Sequence, residues 1–170
     1  LPGVELRIIA TEAVSDFERD QVDIAVRLTR PPFPGSVEAC LLFRQELVAV
    51  ASPHLVGTAV LPLSMEQLGD MPLLHDAQDH WPKFFGTTRK LPGAVFNQTS
   101  HALDATVAGQ GVALACRAFV QADLDAGRLV QVRPAGFEAR ADYYLARKRA
   151  TSSRRMVDAV WDWCIANWSC

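Results

Sequence analysis

The chain has 170 residues, 49% of them apolar and 21% charged, with a formal net charge of −2. That balance excludes a disordered tract and supplies enough apolar surface for a buried core. The slight acidity excludes nucleic-acid binding by this stretch alone, because gripping phosphates takes a surplus of Lys and Arg, and no apolar run approaches the roughly 18 residues of a membrane helix.

In chain order, Val4, Leu6 and Ile8 alternate with Glu5 and Arg7, which predicts a strand with one wetter face. Thr11 offers an N-cap, Glu12 suits a positive helix start, and Val14 with Phe17 give a short helix one apolar face. Residues 22–26 read as a second strand. Strand, helix and strand within about 25 residues predict a parallel βαβ unit. The stretch Arg30-Pro31-Pro32-Phe33-Pro34-Gly35 is a loop. Leu47 to Ala51 is unbroken apolar sequence, suiting a strand covered on both faces. Ser52-Pro53 opens a short helix with Pro at its first position, and Ser64 with Gln67 form a capping box for another, closed by Gly69.

Residues 72–75 predict a short strand, Trp81, Phe84 and Phe85 an aromatic helical turn, and residues 94–96 another strand. Thr99 or Ser100 caps a helix carrying Ala102, Leu103, Thr106 and Val107, which ends at Gly109 and Gly111. A strand at 112–115, a helix with Phe119, Val120 and Leu124 that stops at Gly127, and a strand at 129–132 follow, so 94–132 reads as parallel βαβαβ. The chain closes on a strand at 142–146 and a helix over 153–168, capped by residues 151–153. Its apolar positions Met156, Val157, Val160, Trp161, Cys164, Ile165 and Trp168 keep helical spacing. Two α/β lobes are expected: residues 1–51 and 133–170 as a discontinuous first lobe, 52–132 as the second, with a hinge and a cleft between them.

Motifs for chemistry are sparse. There is no G-x-S-x-G, no phosphate-binding loop and no H-E-x-x-H. Gly109-Gln110-Gly111 follows a helix instead of opening one, so it terminates that helix. Cys40, Cys116, Cys164 and Cys170 match no zinc spacing and read as reduced thiols. His75-Asp76-Ala77-Gln78-Asp79-His80 is the densest polar cluster. Its His spacing does not suit a metal, but it sits at the end of a strand, where α/β sheets hold ligands. Arg140, Arg147, Lys148, Arg149, Arg154 and Arg155 read as a solvated rim among Glu138 and Asp142. Helix starts at 11–13 and 99–101 each follow a strand and present free N–H groups plus a hydroxyl, which suits a small anion such as a carboxylate.

Several strings together resemble the effector-binding domain of LysR-type bacterial transcription regulators. They are Pro2-Gly3-Val4-Glu5-Leu6-Arg7, Val22-Asp23-Ile24-Ala25-Val26-Arg27, Glu46-Leu47-Val48-Ala49-Val50-Ala51-Ser52-Pro53, Phe96-Asn97-Gln98-Thr99-Ser100, Val107-Ala108-Gly109-Gln110-Gly111-Val112-Ala113-Leu114, Leu124-Asp125-Ala126-Gly127-Arg128-Leu129-Val130 and Tyr143-Tyr144-Leu145. The similarity runs in order along nearly the whole chain and is to the branch of glycine-cleavage and β-lactamase activators. It implies an α/β, two-lobed, periplasmic-binding-protein-like (type 2) fold with two small, mostly parallel sheets. The family's usual first strand and helix of lobe I are absent from this chain, which looks like a fragment of a longer protein. It also implies a small-molecule effector in the interlobe cleft, a homodimer or homotetramer, and DNA contact only through an N-terminal helix-turn-helix that the chain lacks.

The effector-lining residues implied by position are Ala10 and Thr11, Leu28 and Thr29, His75 and Asp76, Gln98 and Thr99, and Tyr143. Ala10 stands where that branch commonly has Thr or Ser. The expected protein is a cytoplasmic ligand sensor without catalysis, cofactor, metal or membrane contact. Its expected inducer is a small carboxylate or amino-acid-like metabolite that modulates transcription by favouring one interlobe angle. The rival readings are a transporter's solute-binding protein of the same fold and a hydrolase using His75 or His80.

Overall fold

The computed structural model describes residues 3–11, 13–135, 139–149 and 154–168. The chain divides into two compact units, Gln45–Ala139 and the discontinuous pair Leu1–Arg44 with Arg140–Cys170.

The Gln45–Ala139 unit is built on a five-stranded sheet. Its strands are β3 (Leu47–Ala51), β4 (Leu73–His75), β5 (Ala94–Val95), β6 (Val112–Cys116) and β7 (Val130–Pro134), in the spatial order β5-β4-β6-β3-β7. β4 pairs in parallel with both β5 and β6, whereas β3 pairs antiparallel with β6 and with β7. Four strands therefore share one direction, as the βαβαβ reading of 94–132 requires, and β3 is inserted against them. Every residue of β3 and of β6 is buried.

Alternation along β3 sends Ala49 and Ala51 to one face and Val48 and Val50 to the other. The first face packs with Leu68, Trp81 and Phe84, from α2 (Met65–Gly69) and α3 (Trp81–Phe84), and with Val56 of α1 (Pro53–Val56). The second packs with Leu103 and Ala105 of α4 (Thr99–Val107) and Val120 of α5 (Arg117–Asp125). Helices on both faces explain why these strands are continuously apolar.

The local signals in this unit are realised closely. Ser64 Oγ accepts from Gln67 N at 3.1 Å while Gln67 Oε1 accepts from Ser64 N at 2.8 Å, completing the capping box. Pro53 stands at the first helical position after Ser52, whose hydroxyl makes no cap bond. At Gly111 a Cβ would lie 2.5 Å from the Pro72 carbonyl oxygen, which receives Val112 N at 2.8 Å, so only glycine lets β4 and β6 approach there.

The other unit holds a three-stranded sheet in the order β1-β8-β2, from β1 (Ile24–Thr29), β2 (Val37–Phe43) and β8 (Asp142–Lys148), with both pairings antiparallel. This corrects the expectation of a parallel βαβ start and of a mostly parallel sheet here. Residues 4–10 lie outside any ladder, and no helix follows Thr11 among the described residues. Alternating apolar residues make a strand only when a neighbour takes up the N–H and C=O groups; without one, Leu6, Ile8 and Ile9 stay exposed. The segment instead closes in turns, where Asp16 Oδ1 accepts from Glu18 N and Arg19 N at 2.9 and 2.8 Å.

α6 (Arg155–Trp168) packs on β2 and buries Trp161. Arg147 on β8 lies 4.3 Å over the Trp161 ring and donates to Glu38 of β2 and Asp158 of α6, each at 2.8 Å. The predicted cap at 151–153 lies outside the described residues.

The chain passes between units at 44/45 and 139/140, and not after Ala51 and before Arg133. β3 and β7 account for the shift, because their hydrogen bonds belong to the five-stranded sheet.

Candidate functional site

In the Gln45–Ala139 unit, four of the expected site residues meet at the C-terminal ends of β4 and β5. His75 ends β4 and is 3% exposed. Its Nδ1–H donates to Asp79 Oδ1 at 2.7 Å, and its Nε2 lies 3.4 Å from the Pro92 carbonyl oxygen. The ring fits because residue 93 is glycine, at φ +157°; a Cβ there would stand 2.7 Å from Nε2 and 2.2 Å from the Leu73 carbonyl oxygen. Asp76 then organises the loop. Its Oδ1 accepts from Gln78 N at 3.0 Å and Asp79 N at 3.2 Å, as Asp commonly does in turns. Its Oδ2 accepts the Thr99 hydroxyl at 2.7 Å.

Thr99 opens α4 as its first helical residue, with Gln98 in extended conformation at the N-cap and no side-chain cap bond. The expectation that Thr99 caps the helix is thus corrected: its hydroxyl is a donor to Asp76. The carboxylate of Asp76 consequently lies against the start of α4, where backbone N–H groups and the helix dipole favour negative charge. A hydrogen bond to a charged group of this kind contributes about 1.5–3 kcal/mol.

Asp79 holds a left-handed conformation, φ 41°, a choice that costs a non-glycine residue roughly 1–2 kcal/mol. The His75 bond and the turn bonds to Asp76 offset it. His80, which follows, has its imidazole pushed below the usual value by burial; Asp76 and Asp79 oppose that shift and Lys83 adds to it. The Trp81 indole N–H donates to the Leu74 carbonyl at 2.9 Å and pins the aromatic turn beneath the loop.

In the other unit, Leu28, Thr29 and Tyr143 are brought together by the β1–β8 ladder, where Leu28 faces Tyr143 and Thr29 faces Asp142. Directly paired residues point to the same side of a sheet, so Leu28 and Tyr143 share a face. Phe43 of β2 stacks on Tyr143 with ring centroids 4.8 Å apart. Ala10 and Thr11 are not part of this group. They lie in the exposed segment outside the sheet, and Thr11 Oγ1 accepts from Ala13 N at 3.2 Å. Among the described residues, Thr11 and residues 13–16 carry no helix, which differs from the helix start expected there; Glu12 lies outside the described residues.

Two participants escaped the sequence reading, Asp79 and Phe43. Asp79 sits four residues from His75 in the cluster already singled out, so the spacing carried a signal; Phe43 is 100 residues from Tyr143, and nothing local marks it. Three of the six rim residues, Arg147, Lys148 and Arg154, pair with acids. Arg154 binds Asp23 at 2.7 Å, Lys148 binds Glu18, and Arg147 has the partners already given. Among the described residues no group of three His, Cys, Asp or Glu could hold a metal, Cys40, Cys116 and Cys164 are free thiols, and no helix is long and apolar enough to cross a membrane.

Comparison with known proteins gives a family model, the LysR substrate binding domain, that matches residues 1–169. The chain belongs to this family. Among curated relatives, this LysR substrate-binding domain is 31% identical to the glycine cleavage system transcriptional activator of Escherichia coli K12, over 97% of the chain and 56% of the relative. It is 32% identical to the HTH-type transcriptional regulator TrpI of Pseudomonas aeruginosa, over 81% of the chain and 48% of the relative. The domain thus spans about half the length of the curated relatives it matches. Its fold is that of the effector domain of AmpR from Pseudomonas aeruginosa, with TM-score 0.73, 23% identity, and coverage of 97% of this chain and 81% of that one. The AmpR effector-binding domain of Citrobacter freundii matches with TM-score 0.73, 20% identity, and coverage of 97% and 84%. These curated relatives are transcription regulators.

Proposed function

We propose that this domain senses an amino-acid-like metabolite for a LysR-type transcription regulator, and that Asp76 receives the ammonium group of that effector. The observation that carries the proposal is the Asp76 carboxylate seated 2.7 Å from the Thr99 hydroxyl at the start of α4. A bare carboxylate arriving at α4 meets this like charge. At 4 Å and an effective dielectric constant near 20, the repulsion is about 4 kcal/mol. A ligand that carries an ammonium reverses that sign, while its own carboxylate can still use the N–H groups of α4. Of the two effector classes expected from the sequence, small carboxylate and amino-acid-like, the second fits. The relative named for the glycine cleavage system agrees with amino-acid chemistry.

In the Gln45–Ala139 unit, Asp76, Gln98 and Thr99 are the effector-binding residues of this reading, with His75 beneath them; Leu28, Thr29 and Tyr143 carry the same role within their own unit. Ala10 and Thr11 stand in the exposed segment and are reserved for the same role by position alone. The intact regulator is a cytoplasmic homodimer or homotetramer, and its DNA contact belongs to a helix-turn-helix outside these 170 residues.

Titration calorimetry tests the proposal with a panel of amino acids, the same acids without the amino group, and the same amines without the carboxylate. An amino acid that binds at least tenfold more tightly than its desamino counterpart, and that loses this advantage in Asp76→Asn, supports it. A desamino acid or an uncharged compound that binds as well as or better than the amino acid overturns it.

A further inference from the structure

We propose that His75 is a positioning residue: acting through Asp79, it holds the Asp76 carboxylate on the Thr99 hydroxyl, and it does not itself touch the effector. Its relevance to sensing rests on the reading of Asp76 given above; the relay itself stands on the protein's own geometry.

Both ring nitrogens of His75 already face protein atoms. Nδ1 meets Asp79 Oδ1 at 2.7 Å, and Nε2 faces the Pro92 carbonyl at 3.4 Å, with the backbone at Gly93 pressed against the ring edge. The ring is buried, so no edge is left to meet a small molecule. The Asp79 side chain is 41% exposed, and its backbone sits in the left-handed region, uncommon outside glycine though Asp is enriched there, so a side-chain bond adds restraint to it. His75 supplies that restraint from the end of β4. The N–H of Asp79 then donates to Asp76 Oδ1 at 3.2 Å, and the same carboxylate accepts Gln78 N and the Thr99 hydroxyl. The connection runs from a buried ring in the sheet, through the Asp79 carboxylate and then Asp76, to the first residue of a helix 23 positions beyond Asp76. If His75 is removed, Asp79 can relax out of its strained turn. Asp76 then loses one of the N–H groups that orient it, and Oδ2 is free to leave Thr99.

A histidine that merely fills space would not be linked to Thr99 in this way, and that difference can be measured. The experiment compares backbone amide NMR spectra of the unliganded domain for wild type, His75→Leu, His75→Asn and Asp76→Asn. The Asn side chain can place an N–H near the position of Nδ1. The proposal expects His75→Leu to move the Thr99 and Gln78 resonances in the direction that Asp76→Asn moves them, and His75→Asn to return them toward wild type. If His75→Leu does not fold, Asp79→Ala, at an exposed position, interrupts the same relay. It is expected to move the Thr99 amide although Asp79 makes no bond to Thr99. Thr99 resonances that stay in place in both His75→Leu and Asp79→Ala, or an Asn variant indistinguishable from the Leu variant, overturn the relay.

The outcome is separable from effector identity. Coupled Thr99 shifts with no amino acid bound by calorimetry leave the relay standing and remove the effector reading. Amino-acid binding with an unmoved Thr99 does the reverse.

Discussion

Replacing Gly93 by alanine tests how tightly the end of β4 is built. The added Cβ would stand 2.2 Å from the Leu73 carbonyl oxygen and 2.7 Å from His75 Nε2, about 1 Å inside the ordinary carbon–oxygen approach of 3.3 Å or more. Leu73 cannot retreat, because β4 is paired on both sides, Leu73 with Val112 and Leu74 with Ala94 and Ala113. Overpacking of this kind costs about 1–3 kcal/mol, and a side chain at φ +157° adds roughly 1–3 kcal/mol of backbone strain. The expected loss is about 2–6 kcal/mol, a large share of a domain's stability. Gly69→Ala, in the same unit, is the control: its Cβ would meet only Phe85 Cε1 at 4.0 Å, an ordinary contact, and a change of at most about 1 kcal/mol in the stabilising direction is expected. Urea unfolding followed by 19F NMR of fluorotryptophan-labelled protein is the assay. Trp81 is the sole tryptophan of the Gln45–Ala139 unit, so its signal reports that unit. A Gly93→Ala protein as stable as the Gly69→Ala control would refute the close approach of residue 93 to the Leu73 carbonyl and the His75 ring.

Other expectations concern charge. Arg147→Met keeps most of the stem but loses two 2.8 Å charge-assisted bonds and the contact over Trp161. A loss of about 2 kcal/mol is expected in chemical unfolding, of which Arg147→Lys recovers less than half because an ammonium lacks the guanidinium fork; equal stability of Met and Lys variants contradicts this. His80 gives a pH dependence. Its folded value is lowered by burial, so the unfolded chain takes up the proton first, near pH 6.5. The stability contributed by neutral His80 is complete above that pH and is lost as pH falls from there toward the lower folded value. Unfolding curves at pH 5.5 and 7.5 should differ less for His80→Gln than for wild type; identical differences would remove the assignment.

Legibility from sequence followed the range of the interactions. The capping box at Ser64 and Gln67, the proline start at Pro53 and the buried run of β3 are short-range features, and each was readable. The direction of β3 was not, because an apolar run buried on both faces carries no mark of which way its neighbours point. The alternation of Val4, Leu6 and Ile8 misled because period alone cannot supply a ladder partner. At the candidate site, strand ends and the 75–80 cluster pointed to the end of the sheet where Asp76 meets Thr99. The role of Thr99 was misread because its partner, Asp76, is distant in sequence, and a hydroxyl at a helix start serves equally as cap or donor.

The most direct test is a crystal structure of the domain with its bound effector. The account predicts an ammonium nitrogen about 3 Å from an Asp76 carboxylate oxygen, with His75 still closed on Asp79. An effector bound by its carboxylate at the start of α4 with Asp76 displaced, or bound away from residues 76 and 99 altogether, would contradict it.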